Sequence, residues 1–287
     1  MENSLAKLSE RKRGELARIT KIIRQMAPAA EMIILFGSYA RGDAVEDVTT
    51  DGNTTYEYSS DFDILVIVKD EPTANKNGFW YDIENKAGKL PVQTPLTLIV
   101  HDIDFVNRKL EKGQYFFTDI KAEGIILYDS KNCQLADAKQ LSPKERLGQA
   151  KADFKKYFES AEVFFKHCEY ALKDKNYKHA AFMLHQAAEA FYATVLLVYT
   201  NYKPKTHKLD KLSKMASRYD SAFLRIFPLD TDEEKRRFDL LKQAYVGARY
   251  DKGYKITADE LKYLAHCVEI LRDQTETSCQ ERMKTFA

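Results

Sequence analysis

Cysteine is scarce and scattered. The 287 residues contain four (Cys133, Cys168, Cys267 and Cys279), with no CxxC pair among them. That argues against a disulfide framework or structural zinc and for reduced thiols. Long apolar runs are missing too. The longest, "ATVLLVY" (Ala193–Tyr199), is far too short for a bilayer-spanning helix of roughly 20 residues, so no membrane role is expected. The opening stretch "MENSLAKLSERKRGEL" is basic but has no apolar centre of the kind a signal peptide carries, and a cytoplasmic protein is the expectation. Nor does one sign of charge dominate. The net charge of +2 does not describe a chain built as a whole to coat nucleic acid. There is no internal repeat and no low-complexity segment.

The chain is long enough for two domains, each with its own core. Residues 1–140 carry 18 Lys and Arg against 22 Asp and Glu, whereas 141–287 carry 27 against 21. This opposition suggests two units with different tasks. The residue pattern changes with the charge. In the first half, apolar residues at helical spacing predict a helix from Leu5 to Met26, ended by Pro28. Strands follow at "EMIILF" (31–36), "DFDILVIV" (61–68), "LTLIVH" (96–101) and "GIILYD" (124–129), with a short helix at "NGFWYDIENKAG". Strands separated by helices predict an α/β (α+β) unit with a mixed sheet over 1–135. From 136 to 287 the pattern is helix after helix, an all-α helical bundle. Ser142 with Pro143 and Glu145, Thr231 or Asp232, and Thr257 are its helix starts.

Two short stretches carry chemistry. Asp61 and Asp63 sit at i and i+2 of a strand, hence on one face, with Phe62 and Ile64 on the other. Neighbouring carboxylates repel, and in an apolar strand a divalent cation with oxygen ligands relieves the repulsion. Upstream, the apolar strand "IILF" stops at Gly37-Ser38 and is followed by Arg41-Gly42. Backbone N–H groups and the Ser38 hydroxyl at such a turn can hold phosphate oxygens. A plain turn and a solvated strand end are the alternatives for the two stretches.

Gly37-Ser38, Arg41-Gly42 and Ser60-Asp61-Phe62-Asp63, in that order and at strand ends, resemble the signature of minimal nucleotidyltransferases of the DNA polymerase β superfamily. The resemblance implies that Asp61 and Asp63 are catalytic acids binding Mg²⁺ or Mn²⁺. It implies that Gly37 and Ser38 contact the triphosphate of a nucleoside triphosphate and that Arg41 lies near its phosphates. Two departures stand out. The acidic segment 43–58 is longer than usual and reads as a surface loop beside the site. The position of a third carboxylate is filled by Thr97, with Asp102 and Asp104 as substitutes only in a different register.

In the second half, "HAAFMLHQAAEAFYATVLL", "KTHKLDKL" and "ARYDKGYKIT" resemble, in this order, a HEPN domain. HEPN ribonucleases carry an arginine followed a few residues later by a histidine. Arg249 has no such histidine, which speaks against RNA cleavage and leaves Arg249 and Tyr254 to a ligand contact, a dimer contact or a bundle-capping network. His185 and Glu189, one helical turn apart, are expected to form a buried hydrogen-bonded pair. The joint resemblance implies transfer of a nucleotidyl group to a hydroxyl of a small molecule or protein, and a homodimer. The alternative is an impaired nucleotide-binding module of toxin–antitoxin type, with RNA the weakest partner.

Overall fold

The structure, a computed structural model, describes residues 5–44, 46–51 and 54–286, with only the backbone described for 46–51 and 54–59. Residues 1–140 and 141–287 form two compact units. The division falls a little beyond 135/136 because the Lys139 N–H still donates to the Leu110 carbonyl of the first unit (3.0 Å).

The first unit opens with a 3-10 turn, Leu5–Lys7, and helix α1 (Glu10–Met26). The single helix expected from Leu5 is broken because Ser9 caps α1, its hydroxyl accepting from the Lys12 N–H. Next come β1 (Ala30–Phe36), α2 (Ser38–Arg41), β2 (Glu46–Asp51), β3 (Thr54–Ser59) and β4 (Phe62–Val68). After these follow α3 (Glu71–Ala74), α4 (Asn77–Gly88), β5 (Leu96–Asp102), α5 (Ile103–Glu111), α6 (Tyr115–Glu123) and β6 (Ile125–Asp129). The segment expected to be a loop is an antiparallel hairpin, β2 with β3. Its signal was the Gly52-Asn53 pair between runs rich in Thr, Val and Tyr.

Four strands form one mixed sheet in the order β5-β4-β1-β6, with β1 antiparallel to β4 and β6 and β4 parallel to β5. All seven residues of β4 are buried, as expected of a strand covered on both faces. Phe62, Ile64 and Val66 share one core with Leu16, Ile19 and Ile23 of α1 and with Trp80 and Ile83 of α4. On the other face, His101 of β5 stacks on Phe105 of α5 and meets Phe117 of α6 edge-on. The alternation along β4 therefore sends Asp61 and Asp63 to the α5–α6 side.

The second unit is helical: α7 (Pro143–Lys173), α8 (Tyr177–Thr200), α9 (Leu209–Ala216), α10 (Asp232–Tyr250) and α11 (Ala258–Lys284). Ser142, Thr231 and Thr257 each form a capping box with the glutamate three residues on. Thr206, by residue type and position the sequence's cap candidate for this helix, does not cap α9. Its hydroxyl accepts from the Lys208 N–H, and it stands two residues before the cap position, which Lys208 itself fills. α8 is the central helix, buried on every side from Ala187 to Val198. Among the described residues it is the one helix long and apolar enough to cross a membrane, yet 83% of its most apolar window is packed inside this unit.

Candidate functional site

The geometry at the end of β1 is set by one glycine. Gly37 has φ +74° and ψ −154°, a conformation that residues with a Cβ avoid. A Cβ built there would lie 2.6 Å from Asp63 Oδ2 and 3.3 Å from its Cγ. The turn and the acid are thus in direct contact, as the antiparallel pairing of Phe36 with Asp63 requires. Ser38 begins α2, a single turn closed by its own backbone. The Ala40 and Arg41 N–H groups donate to the Gly37 carbonyl, and those of Gly42 and Asp43 to the Ser38 carbonyl. Gly42 ends it in the left-handed region (φ +87°).

Asp61 and Asp63 are both buried, 6% and 2% exposed. Thr97 stands beside them. It is in register with Asp63 across the β4–β5 pair, and its hydroxyl donates to Asp61 Oδ2 at 3.2 Å. A hydroxyl therefore occupies the position next to both acids. Asp102 cannot replace it. It pairs with Val68 at the far end of β5, five residues or about 16 Å along the strand from Thr97. Its carboxylate caps α5 by accepting from the Phe105 N–H (2.8 Å), and Asp104 lies within that helix. Among the described residues no third Asp, Glu, His or Cys completes a metal-binding group. Arg41 is half exposed and pairs with Asp43 (3.0 Å) and Glu123 (3.9 Å).

On the opposite face of the sheet lies a polar cluster that sequence reasoning missed. Lys12 and Glu15 of α1 are buried, 7% and 2% exposed. The Lys12 ammonium donates to the Tyr39 hydroxyl (2.8 Å) and to Thr94 Oγ1 (2.5 Å). Thr94 in turn donates to Glu15 (2.6 Å), which also accepts from the Gln93 N–H. Burial raises the Glu15 pKa, but these hydrogen bonds and the charges of Lys12 and Arg11 outweigh it and hold the carboxyl below its ordinary value. A signal existed. Lys12 lies one turn before Leu16, on the apolar stripe of α1.

In the helical unit, the expected His185–Glu189 hydrogen bond is not formed. Their closest approach is 3.9 Å, and His185 Nδ1 is instead bonded to the Leu241 carbonyl (3.0 Å). Burial pushes the His185 pKa down, which favours the neutral ring that donates to that carbonyl. Glu189 takes His207 (2.8 Å) and Lys203 (3.7 Å) as partners, and the His207 ring stacks on Tyr245. Tyr254 is buried, packs against Gly247 and donates to the Leu240 carbonyl (3.0 Å). Arg249 lies against the rings of Phe182, Tyr245 and Tyr250 and donates to the Tyr245 carbonyl.

Comparison with known families agrees with both halves. A family model described as "Polymerase beta, Nucleotidyltransferase" matches residues 17–132, and one described as "HEPN domain" matches 154–277. No curated protein matches the chain significantly. The protein is a polymerase β-type nucleotidyltransferase domain fused to a HEPN domain.

Proposed function

We propose that the N-terminal unit binds a nucleoside triphosphate together with Mg²⁺ or Mn²⁺, with Asp61 and Asp63 as metal ligands and the Gly37–Ser38 turn holding phosphate oxygens. The observation that supports this best is the contact between the turn and Asp63, where a Cβ on Gly37 would lie 2.6 Å from the carboxylate. Only glycine lets the turn approach a buried acid this closely. Two carboxylates are also the number Mg²⁺ commonly takes from protein when substrate phosphates complete its shell. When bound, the metal would neutralise phosphate charge and ease displacement at the α-phosphorus.

The reaction suited to this arrangement is nucleotidyl transfer to a hydroxyl of a small molecule or protein. The acceptor oxygen bonds to the α-phosphorus, the bond to pyrophosphate breaks, and the hydroxyl proton passes to a base. The Thr97 hydroxyl is no such base at neutral pH, and it already donates to Asp61. This observation favours a second reading, a nucleotide-binding module. In it, transfer falls short of a three-carboxylate site by about 10²–10⁴-fold, the usual contribution of a general base.

Isothermal titration of the whole chain with ATP, GTP, CTP and UTP in Mg²⁺ tests the first reading. At least one should bind, and Asp63→Asn should abolish it. Binding of none, or unchanged binding by the variant, would reject the site. Label transferred from a triphosphate to any acceptor hydroxyl, at a rate typical of three-acid enzymes, would reject the second reading.

A further inference from the structure

Lys12 is costly where it stands. It lies in the first turn of α1, at the positive end of the helix dipole, and its side chain is buried. Neither placement helps α1 itself, so the compensation has to come from its partners. Three of them are each next to a residue of the nucleotide site. Tyr39, whose hydroxyl accepts from the ammonium at 2.8 Å, follows Ser38 in α2. Phe62, whose ring centre lies 5.7 Å from the ammonium, separates Asp61 from Asp63. Thr94, 2.5 Å away, precedes Pro95, whose carbonyl accepts from the Phe62 N–H at 2.8 Å. One cation therefore touches the turn, the acid-bearing start of β4 and the lead into β5, all from the face of the sheet opposite the carboxylates.

We propose that Lys12 is a positioning residue of the site: through Tyr39, Phe62 and Thr94 it fixes the Gly37–Ser38 turn against the acids of β4. Glu15, bonded through Thr94 at 2.6 Å, supplies the countercharge. The consequence for nucleotide binding rests on the function proposed above, whereas the ordering of the turn does not.

Hydrogen exchange resolved by residue, on the full chain, separates the two. Lys12→Met keeps the unbranched apolar stem, one atom shorter, and removes the donor, and Tyr39→Phe keeps the ring and removes the acceptor. Both variants should speed exchange of the Ala40, Arg41 and Gly42 amides, which close α2, by about tenfold or more while the Ile64–Val66 amides stay as in the wild type. The double variant should do no more than Lys12→Met alone, because Tyr39→Phe removes a bond that Lys12→Met already removes. Affinity for Mg²⁺–ATP should weaken by about tenfold in parallel. Unchanged α2 exchange, or an equal rise across β4, would overturn the proposal by reducing Lys12 to general stability. If Lys12→Met does not fold, Tyr39→Phe carries the test. If the wild type binds no triphosphate while α2 exchange still rises in the variants, the nucleotide reading fails and the positioning of the turn is supported.

Discussion

Gly37→Ala puts the contact between turn and acid under direct strain. Two costs follow from the geometry. Alanine at φ +74° and ψ −154° occupies a region used almost only by glycine, at a cost of about 1–3 kcal/mol. The added methyl also meets Asp63 Oδ2 at 2.6 Å and its Cγ at 3.3 Å. Asp63 is 2% exposed and held in β4 between two strands, so relief means rotating its carboxylate in a crowded interior or moving the turn, as in overpacked cores, at about 1–3 kcal/mol more. Gly42→Ala is the control. Its φ is also positive, +87°, but the nearest atom to an added Cβ is Lys7 Cδ at 3.9 Å, so only a left-handed penalty of about 1–2 kcal/mol applies. Trp80, the one tryptophan of the chain, is buried in the first unit, and its fluorescence follows urea unfolding of that unit. Gly37→Ala should lose about 1–3 kcal/mol more than Gly42→Ala. Equal losses, or a Gly37→Ala variant as stable as the wild type, would refute the contact.

Two further outcomes follow. Thr97→Asp places a third carboxylate beside Asp61, since the threonine hydroxyl is 3.2 Å from it; like charges about 4 Å apart at an effective dielectric near 20 repel by about 4 kcal/mol. The variant should melt lower than the wild type without metal and gain more from Mg²⁺ or Mn²⁺, and equal metal-induced shifts in Tm would count against a shared cation site. Glu15→Gln should flatten acid unfolding of the first unit. The carboxyl of Glu15 is held below its ordinary value despite burial, by Thr94, Gln93, Lys12 and Arg11, so its stabilisation is complete above the unfolded value, about 4.5, and is lost as pH falls through the lower folded value. Trp80-monitored stability at pH 7 and near pH 3 should differ less in the variant, and an unchanged difference would refute the assignment.

Much of the scaffold was legible because burial and polar caps leave local marks. Of the pair Thr231 and Asp232 the structure takes Thr231 as the cap, while the run "EMIILF", the run "DILVIV", the capping box at Ser142 and the helix start at Thr257 read directly as the elements they form. So did the shared face of the two acids, since alternation along a strand depends on nothing distant. The hairpin over β2 and β3 escaped because the run over β2, "EDVTTD", is acidic and shows no alternation of apolar with polar, which left the alternating "TYEYS" and the Gly52-Asn53 pair to mark it. His185 and Glu189 have helical spacing for a hydrogen bond, but the Leu241 carbonyl of α10 and His207 supplied better partners through tertiary contact. Lys12 was hidden for the same reason: a buried lysine is explained only by what it meets, and Tyr39 and Thr94 lie 27 and 82 residues away.

The most direct test of the nucleotide site is where a heavy divalent ion settles. Crystals of the full chain grown with Mn²⁺ and a non-hydrolysable triphosphate should show an anomalous peak within ligand distance, about 2.0–2.3 Å, of oxygens of both Asp61 and Asp63, with phosphate at Gly37 and Ser38. Manganese and triphosphate bound elsewhere, with both carboxylates free of metal, would contradict the account.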